Sequence, residues 1–527
     1  MIATTLSGRL GMVLACGVSL AALAATTATP AHAEKFACPT MTDRFVFGQE
    51  AQVAGLDMHF SSAISARNVA MHIYETLMTR DENNAPIHEL AESHEVSDDG
   101  LTYTFKLRDG ITFHNGKKMT SADVLASFER YSRIGIDRGT LESVAEMTAP
   151  DDLTFVIKLK HHVPVFIEDF SSFRVPIVII PAEEAAKEGN QIEYIGTGPF
   201  EFVEWVPDSH VELKRFADYQ PNEAFDGKTG FGGYKVVCFD NLTIRVVKEP
   251  GARVAGLETG ELQAVEDVPT KAAERLVDNP DIKLLPVDNW WIHIALINWT
   301  KPPTDDLKVR RAIQIGLNME EIMEIATDGA YKLQGGYQYP GNPYYVEDGT
   351  EWFNVNDPEQ AMALLEEAGY DGEPVVLNTN SDYTNMYNAS LVMAEQLKDM
   401  GVNAVLEVSD WPTSRDRRND PTFWNLSFTG FGTGPSIGPR AAVKDLLPPT
   451  NLAGAPDDPE LNDAASRMQL EEDFEGRKQA FADLQQIPYE DVYAVPMGEI
   501  QKVQATRANV GGFVPFRIPR LWNVWVE

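Results

Sequence analysis

Basic residues, cysteine and histidine are all scarce in this chain. Of 527 residues, three are Cys and ten are His, and 44 Lys plus Arg stand against 79 Asp plus Glu, for a formal net charge of −35. So acidic a chain repels a phosphate backbone and an anionic bilayer, which excludes nucleic-acid binding as its main work. Long apolar runs are missing beyond the N-terminus, so a polytopic membrane protein is excluded too. No H-E-x-x-H, C-x-x-C or EF-hand loop occurs, and no metal is expected. Without a P-loop or G-x-G-x-x-G there is no cofactor signature either. His161 and His162 are adjacent, so on a strand they point to opposite faces and cannot share an ion. His114, in the turn-like Phe113–Gly116, reads as a surface or capping residue.

What is present is a globular composition, 43% hydrophobic and 23% charged, at a length that suits about three domains. Arg9, the apolar stretch Leu10–Ala25 and the A-x-A pattern Ala31–Ala33 read as a signal peptide over residues 1–33, cleaved after Ala33. The mature chain then starts at Glu34 in the periplasm. A lipoprotein anchored at Cys16 is the alternative, although Val13–Ala15 makes a poor lipobox. Removing the leader leaves Cys38 and Cys238, which in an oxidising compartment form one disulfide or else remain two buried thiols.

The rest alternates strand and helix patterns, giving a mixed α/β chain. Thr102–Leu107 and Leu153–Leu159 alternate as half-buried strands. Thr120 caps a helix with Asp123 in its first turn. Arg310–Ile325 carries apolar residues at helical spacing. A helix opens at Asp357-Pro358 and stops at Gly369; another spans Ser390–Met400, followed by a strand over Val402–Val408, and Phe474–Gln486 is a further helix. Gly335–Thr350 and Leu447–Pro459 read as Gly/Pro-rich loops.

One catalytic pattern needs weighing. Gly434–Gly438 fits the G-x-S-x-G nucleophile elbow around Ser436, whose partners would follow in the order acid then His. The last histidine is His293, and Pro435 and Pro439 disfavour the strand and helix that the elbow needs. A hydrolase is the second reading; the expectation is that the chain is not an enzyme.

Several phrases are informative together: Ile73–Met78, Leu90–Ser93, Ser97–Gly110, Phe113–Gly116, Thr120–Val124, Gly196–Phe200, Pro303–Arg310 and Ala363–Tyr370. In this order the chain resembles the dipeptide/oligopeptide/nickel family (family 5, cluster C type) of extracytoplasmic solute-binding proteins that serve ABC importers. The resemblance implies an α/β, two-lobe periplasmic-binding-protein fold with an extra subdomain inserted in lobe one. Lobe one maps to 34–288 plus 491–527, the subdomain to about 80–184 and lobe two to 289–490. Cys38 and Cys238 would both lie in lobe one. A small-molecule solute, oligopeptide-like, would be held in the interlobe cleft and passed to a membrane ABC permease, the protein acting as a monomer. The segments matching the family's cleft contain Ser62, Ile64 and Ser65 on one side and Phe431, Gly432, Thr433 and Gly434 on the other, with Trp291 near the hinge. Peptide binders end the second segment in an aspartate that meets the ligand's ammonium, but here it is Gly434. A non-peptide ligand (an oligosaccharide, opine or betaine) therefore stands as the alternative. Trp411 and Trp424 read as packing residues, Arg415–Arg418 as a solvated helix face, and Arg440 as a surface ion-pair partner.

Overall fold

The computed structural model describes residues 35–61, 63–83, 85–189, 191–431 and 458–527, apart from the side chains at 288, 289, 431 and 469. Its centre is an eleven-stranded mixed sheet. From one edge the strands run Ala404–Ser409, Val375–Asn380, Leu426–Phe431, Ile282–Ile297, Ala494–Arg507, Ala264–Val265, Thr42–Gln49, Phe239–Val246, His210–Arg215 and Phe200–Val206, and Tyr331–Lys332 pairs beside Ala494–Arg507.

The two longest strands join the two ends of this sheet. Ile282–Ile297 and Ala494–Arg507 run antiparallel to each other, with register shifts between Val287 and Trp291 and between His293 and Ile294. On one side of the first shift, Ala505 and Thr506 pair with Val265 and Ala264; on the other, Ile292–Ile297 pair with Leu426–Phe431. A bulge bends and twists its strand, so the sheet changes direction here. Each end has its own core: Phe45, Phe47, Phe200 and Phe239 in one, and Ile313, Met323, Leu377 and Phe428 in the other.

A separate four-stranded antiparallel sheet orders Ala91–Val96, Thr102–Leu107, Thr154–Leu159 and Val144–Asp151. Alternate residues of Thr102–Leu107 are buried, as the period-two pattern requires. Helix Ser121–Ile134 packs on this sheet through Phe128, next to Phe155 and Phe170. Its start is locked locally: the Thr120 amide and hydroxyl both donate to the Asp123 carboxylate, at 3.0 and 3.1 Å.

Three elements differ from the sequence pattern. Arg310–Ile325 is two helices, Leu307–Gly316 and Met319–Thr327, because Asn318 caps the second by accepting the Glu321 amide at 3.1 Å. The helix expected from Ser390 begins earlier, at Thr384. The one from Phe474 continues through Pro488 to Glu490. Cys38 and Cys238 are joined, with Cα atoms 5.5 Å apart, beside the parallel pairing of Thr42 with Phe239.

Candidate functional site

The sequence phrases build scaffold. Glu75 accepts from the Thr197 hydroxyl at 3.0 Å, the Tyr219 hydroxyl at 2.8 Å and the Lys235 ammonium at 3.1 Å. Lys235 also meets Glu89, and all three ionic groups are buried. Gly196 is needed because a Cβ there would stand 2.1 Å from the Ile73 carbonyl oxygen. Arg310 donates to the Asp491 and Thr304 carbonyls, each at 3.0 Å. In each case the group that burial would isolate has found a partner.

One region breaks that pattern. Every residue of helix Ile64–Ile73 is buried, including Ser65 and Arg67. Arg67 is 1% exposed, and its Nε and Nη1 have no hydrogen-bond partner. Its guanidinium lies 4.7 Å from the Phe173 ring centroid. Phe173 packs on Phe231, and Phe231 on Phe516, at 5.0 and 5.2 Å. This aromatic chain connects Arg67 to Arg174 and Arg517, which directly follow Phe173 and Phe516. Arg517 is 8% exposed, and its Nε and Nη1 are likewise unpartnered. Among the described residues neither Arg67 nor Arg517 forms an ion pair with a carboxylate.

The charges feel one another. Burial pulls the Arg67 guanidinium well below its usual value, and Arg174, Arg517 and Arg415 depress it further. Burial, with Arg174, brings Arg517 down to about 10. The nearby acids are engaged elsewhere. Asp382 takes Lys248 at 3.1 Å and the Trp411 amide at 3.3 Å. Glu50 pairs with Lys502, and Glu266 accepts from Asn68 at 3.0 Å. A cavity of about 590 Å³ beside the crossing strands is lined by Glu50, Arg253, Asp267 and Lys502, and there each charge already has its counter-ion.

Tyr383 closes the unpaired region. Its ring stands edge-on between Trp291, at 5.6 Å and 84°, and Trp411, at 5.2 Å and 87°. Ser65 Oγ lies beside its phenol, and burial pushes that phenol well above its usual value. Ser65 Oγ and the indole nitrogens of Trp291 and Trp411 also lack hydrogen-bond partners. Arg415 donates to Ser61 Oγ at 3.1 Å and stacks 5.9 Å from Trp411. The resulting surface is lined by hydrogen-bond donors.

Of the residues singled out in the sequence, Ile64, Ser65 and Trp291 are buried. Trp291 and Ile64 share one core cluster, and Trp291 lies against Gly430, where a Cβ would fall 2.7 Å from the indole. The Phe431 backbone pairs with Ile292. Ser62, Gly432, Thr433, Gly434, Ser436 and Arg440 lie outside the described residues. Trp424 packs as expected, with its Nε1 donating to the Arg418 carbonyl at 3.2 Å. Trp411 does more than pack. The run Arg415–Arg418 is not a solvated face: Arg418 is buried and both Arg415 and Arg418 stack on Trp411, because the helix turns this side inward. Sequence reasoning missed Arg67, Tyr383 and Arg517. Only Arg67 left a signal, as the one cation in a helix of otherwise core-compatible residues.

Residues 85–450 match the model of the bacterial extracellular solute-binding proteins, family 5. A probable peptide ABC transporter periplasmic-binding protein of Sinorhizobium fredii is 29% identical over 97% of both chains. The glutathione-binding protein of Escherichia coli K12 is 30% identical over 67% of both. Among solved structures, a periplasmic binding protein of A. tumefaciens R10 in complex with agropinic acid superposes with a TM-score of 0.79 at 25% identity, covering 92% of this chain and 99% of that one. A dipeptide-binding protein of Pseudoalteromonas sp. SM9913 in complex with Met-Leu superposes with a TM-score of 0.81 at 21% identity, covering 92% and 100%. With its crossing strands, its inserted four-stranded sheet and a matched region spanning most of its length, the chain belongs to family 5 of the bacterial extracellular solute-binding proteins.

Proposed function

We propose that this protein captures a small polar organic solute between two lobes outside the cytoplasm and hands it, unaltered, to an ABC importer. The observation that carries this reading is the buried, donor-lined surface around Arg67, Tyr383 and Arg517, where Nε and Nη1 of both guanidinium groups have no partner among the described residues. Ser62, Ile64, Ser65, Trp291 and the stretch Phe431–Gly434 complete the proposed solute contacts.

The lobes are taken as 34–288 plus 491–527, with a subdomain at about 80–184, and 289–490. On that division Arg415 to Ser61, Lys248 to Asp382 at 3.1 Å and His162 to Glu472 at 2.9 Å bridge the lobes. This is the arrangement of a closed clamp, bending where the two long strands shift register. Residues 1–33 act as the export signal and are removed after Ala33, and the mature protein works as a monomer in the periplasm.

The solute is oligopeptide-sized. A non-peptide solute is the second reading, favoured because the acids around Tyr383 already have partners. The test is mass spectrometry of the molecule released on mild denaturation, followed by titration of that molecule into the emptied protein. Tryptophan emission should change saturably as Trp291 and Trp411 are covered. A protein that releases nothing and shows no saturable change would refute the reading.

A further inference from the structure

A guanidinium cannot escape burial by losing its proton at physiological pH. Left without a counter-ion, it costs several kcal/mol. Arg67 and Arg517 both stand in that position, each with two unpartnered nitrogens, and each lowers the other's basicity or is lowered through their shared neighbour Arg174. Elsewhere among the described residues, buried guanidinia meet a carboxylate or, as with Arg310, backbone carbonyls. Arg130 is closed by Asp57 at 2.6 Å, Arg253 by Asp267 at 3.3 Å, and Arg520 by Glu82. The unpaired polar groups beside Arg67 and Arg517 are Ser65 Oγ and the indole N–H groups of Trp291 and Trp411. All can donate, and the acids around Tyr383 (Glu266, Glu50 and Asp382) already take Asn68, Lys502 and Lys248.

We propose, on the solute-binding reading above, that the natural solute is an organic anion with at least two acid groups and no net positive centre, one acid group seated on Arg67 and the other on Arg517. Guanidinium forks suit carboxylate and phosphoryl oxygens alike, so the shared chemistry is an oxyanion at each end. Phe173 backs the Arg67 guanidinium, and Tyr383 packs against the middle of the solute. A zwitterionic peptide would leave one guanidinium unpaired and bring an ammonium into a field of like charge.

The experiment uses the mature protein, emptied by unfolding and refolding, with calorimetric titration of glutarate, phosphonoacetate, Ala-Ala and sucrose. The two dianionic probes should bind at least about 100-fold more tightly than Ala-Ala or sucrose, and the tighter of the two identifies carboxylate or phosphoryl oxygen as the preferred group. Arg67→Met and Arg517→Met should each weaken the preferred probe by about 100-fold. Each should also raise the melting temperature of the empty protein by about 2 °C or more, because a lone buried charge has gone. That rise separates loss of a binding group from loss of fold. Ala-Ala binding as tightly as either dianion would overturn the proposal, as would a released natural molecule with fewer than two acid groups. A protein that releases nothing and binds none of the probes would instead defeat the solute-binding reading itself, and this proposal with it.

Discussion

Glu75–Lys235–Glu89 and Arg67–Arg517 are both charged and both deeply buried, yet they are built on opposite principles. In the first, a cation stands between two carboxylates, which also accept from Thr197, Tyr219 and Thr76. In the second, Arg67 lies over the Phe173 ring, and neither Arg67 nor Arg517 has an acid among the described residues. The difference teaches where this protein spends its internal hydrogen-bonding capacity: the Glu75–Lys235–Glu89 charges are neutralised from within, whereas on the proposed reading Arg67 and Arg517 are left for the solute to neutralise.

The sharpest way to break this comparison is to remove one cation from each cluster. Lys235→Met strands Glu75 and Glu89 together and should cost about 4 kcal/mol in urea unfolding, whereas Arg67→Met should make the empty protein more stable. Equal losses in the two variants would mean that Arg67 is structural.

A smaller effect follows from histidines, which, unlike the arginines, answer burial by giving up the proton. Burial lowers His59 to about 4 and His72 and His293 to about 3. The unfolded chain binds these protons below about pH 6.5 and the folded chain does not, so stability falls as pH drops from 6.5 toward 4. Glu50, raised by burial to about 7 against the pull of Lys502, works in the other direction and cancels about one of the three protons. These four groups alone give about two protons taken up on unfolding, or about 3 kcal/mol lost per pH unit, read from denaturation midpoints across that range. A flat profile would show that these histidines are protonated in the fold.

The smallest effect belongs to the contact that joins the two sides of the site. Arg415→Ala removes the bond to Ser61 and should weaken solute binding about fivefold, with no change in unfolding midpoint beyond about 0.5 kcal/mol. A larger loss of affinity would place Arg415 on the solute itself.

Much of the framework was legible because it is written in short-range terms. Alternation over Thr102–Leu107 and the Thr120/Asp123 box act within a few residues, and both elements form as the pattern requires. The break inside Arg310–Ile325 was harder to see. Its apolar spacing continues across a junction that only the Asn318 cap and the turn after Gly316 create. The helix from Phe474 passes through Pro488 because Tyr489, packed on Tyr337, holds its last turn in the core. Of the proposed site, Ile64, Ser65 and Trp291 were named from the family's pattern, and all three are buried. Tyr383 could not be, since it opens a helix among polar residues with no motif around it.

The sequence by itself determined the acidic surface, the alternation of strands and helices and the family, because composition, periodicity and linear motifs are carried by neighbours along the chain. It did not reveal which buried charges would be paired. That was decided by the tertiary structure, which brings Phe173-Arg174, Arg67, Tyr383 and Phe516-Arg517 together from distant segments and turns the nearby acids toward other partners. Whether a buried ion is compensated depends on which groups share its desolvated volume, and no local pattern of residues records that.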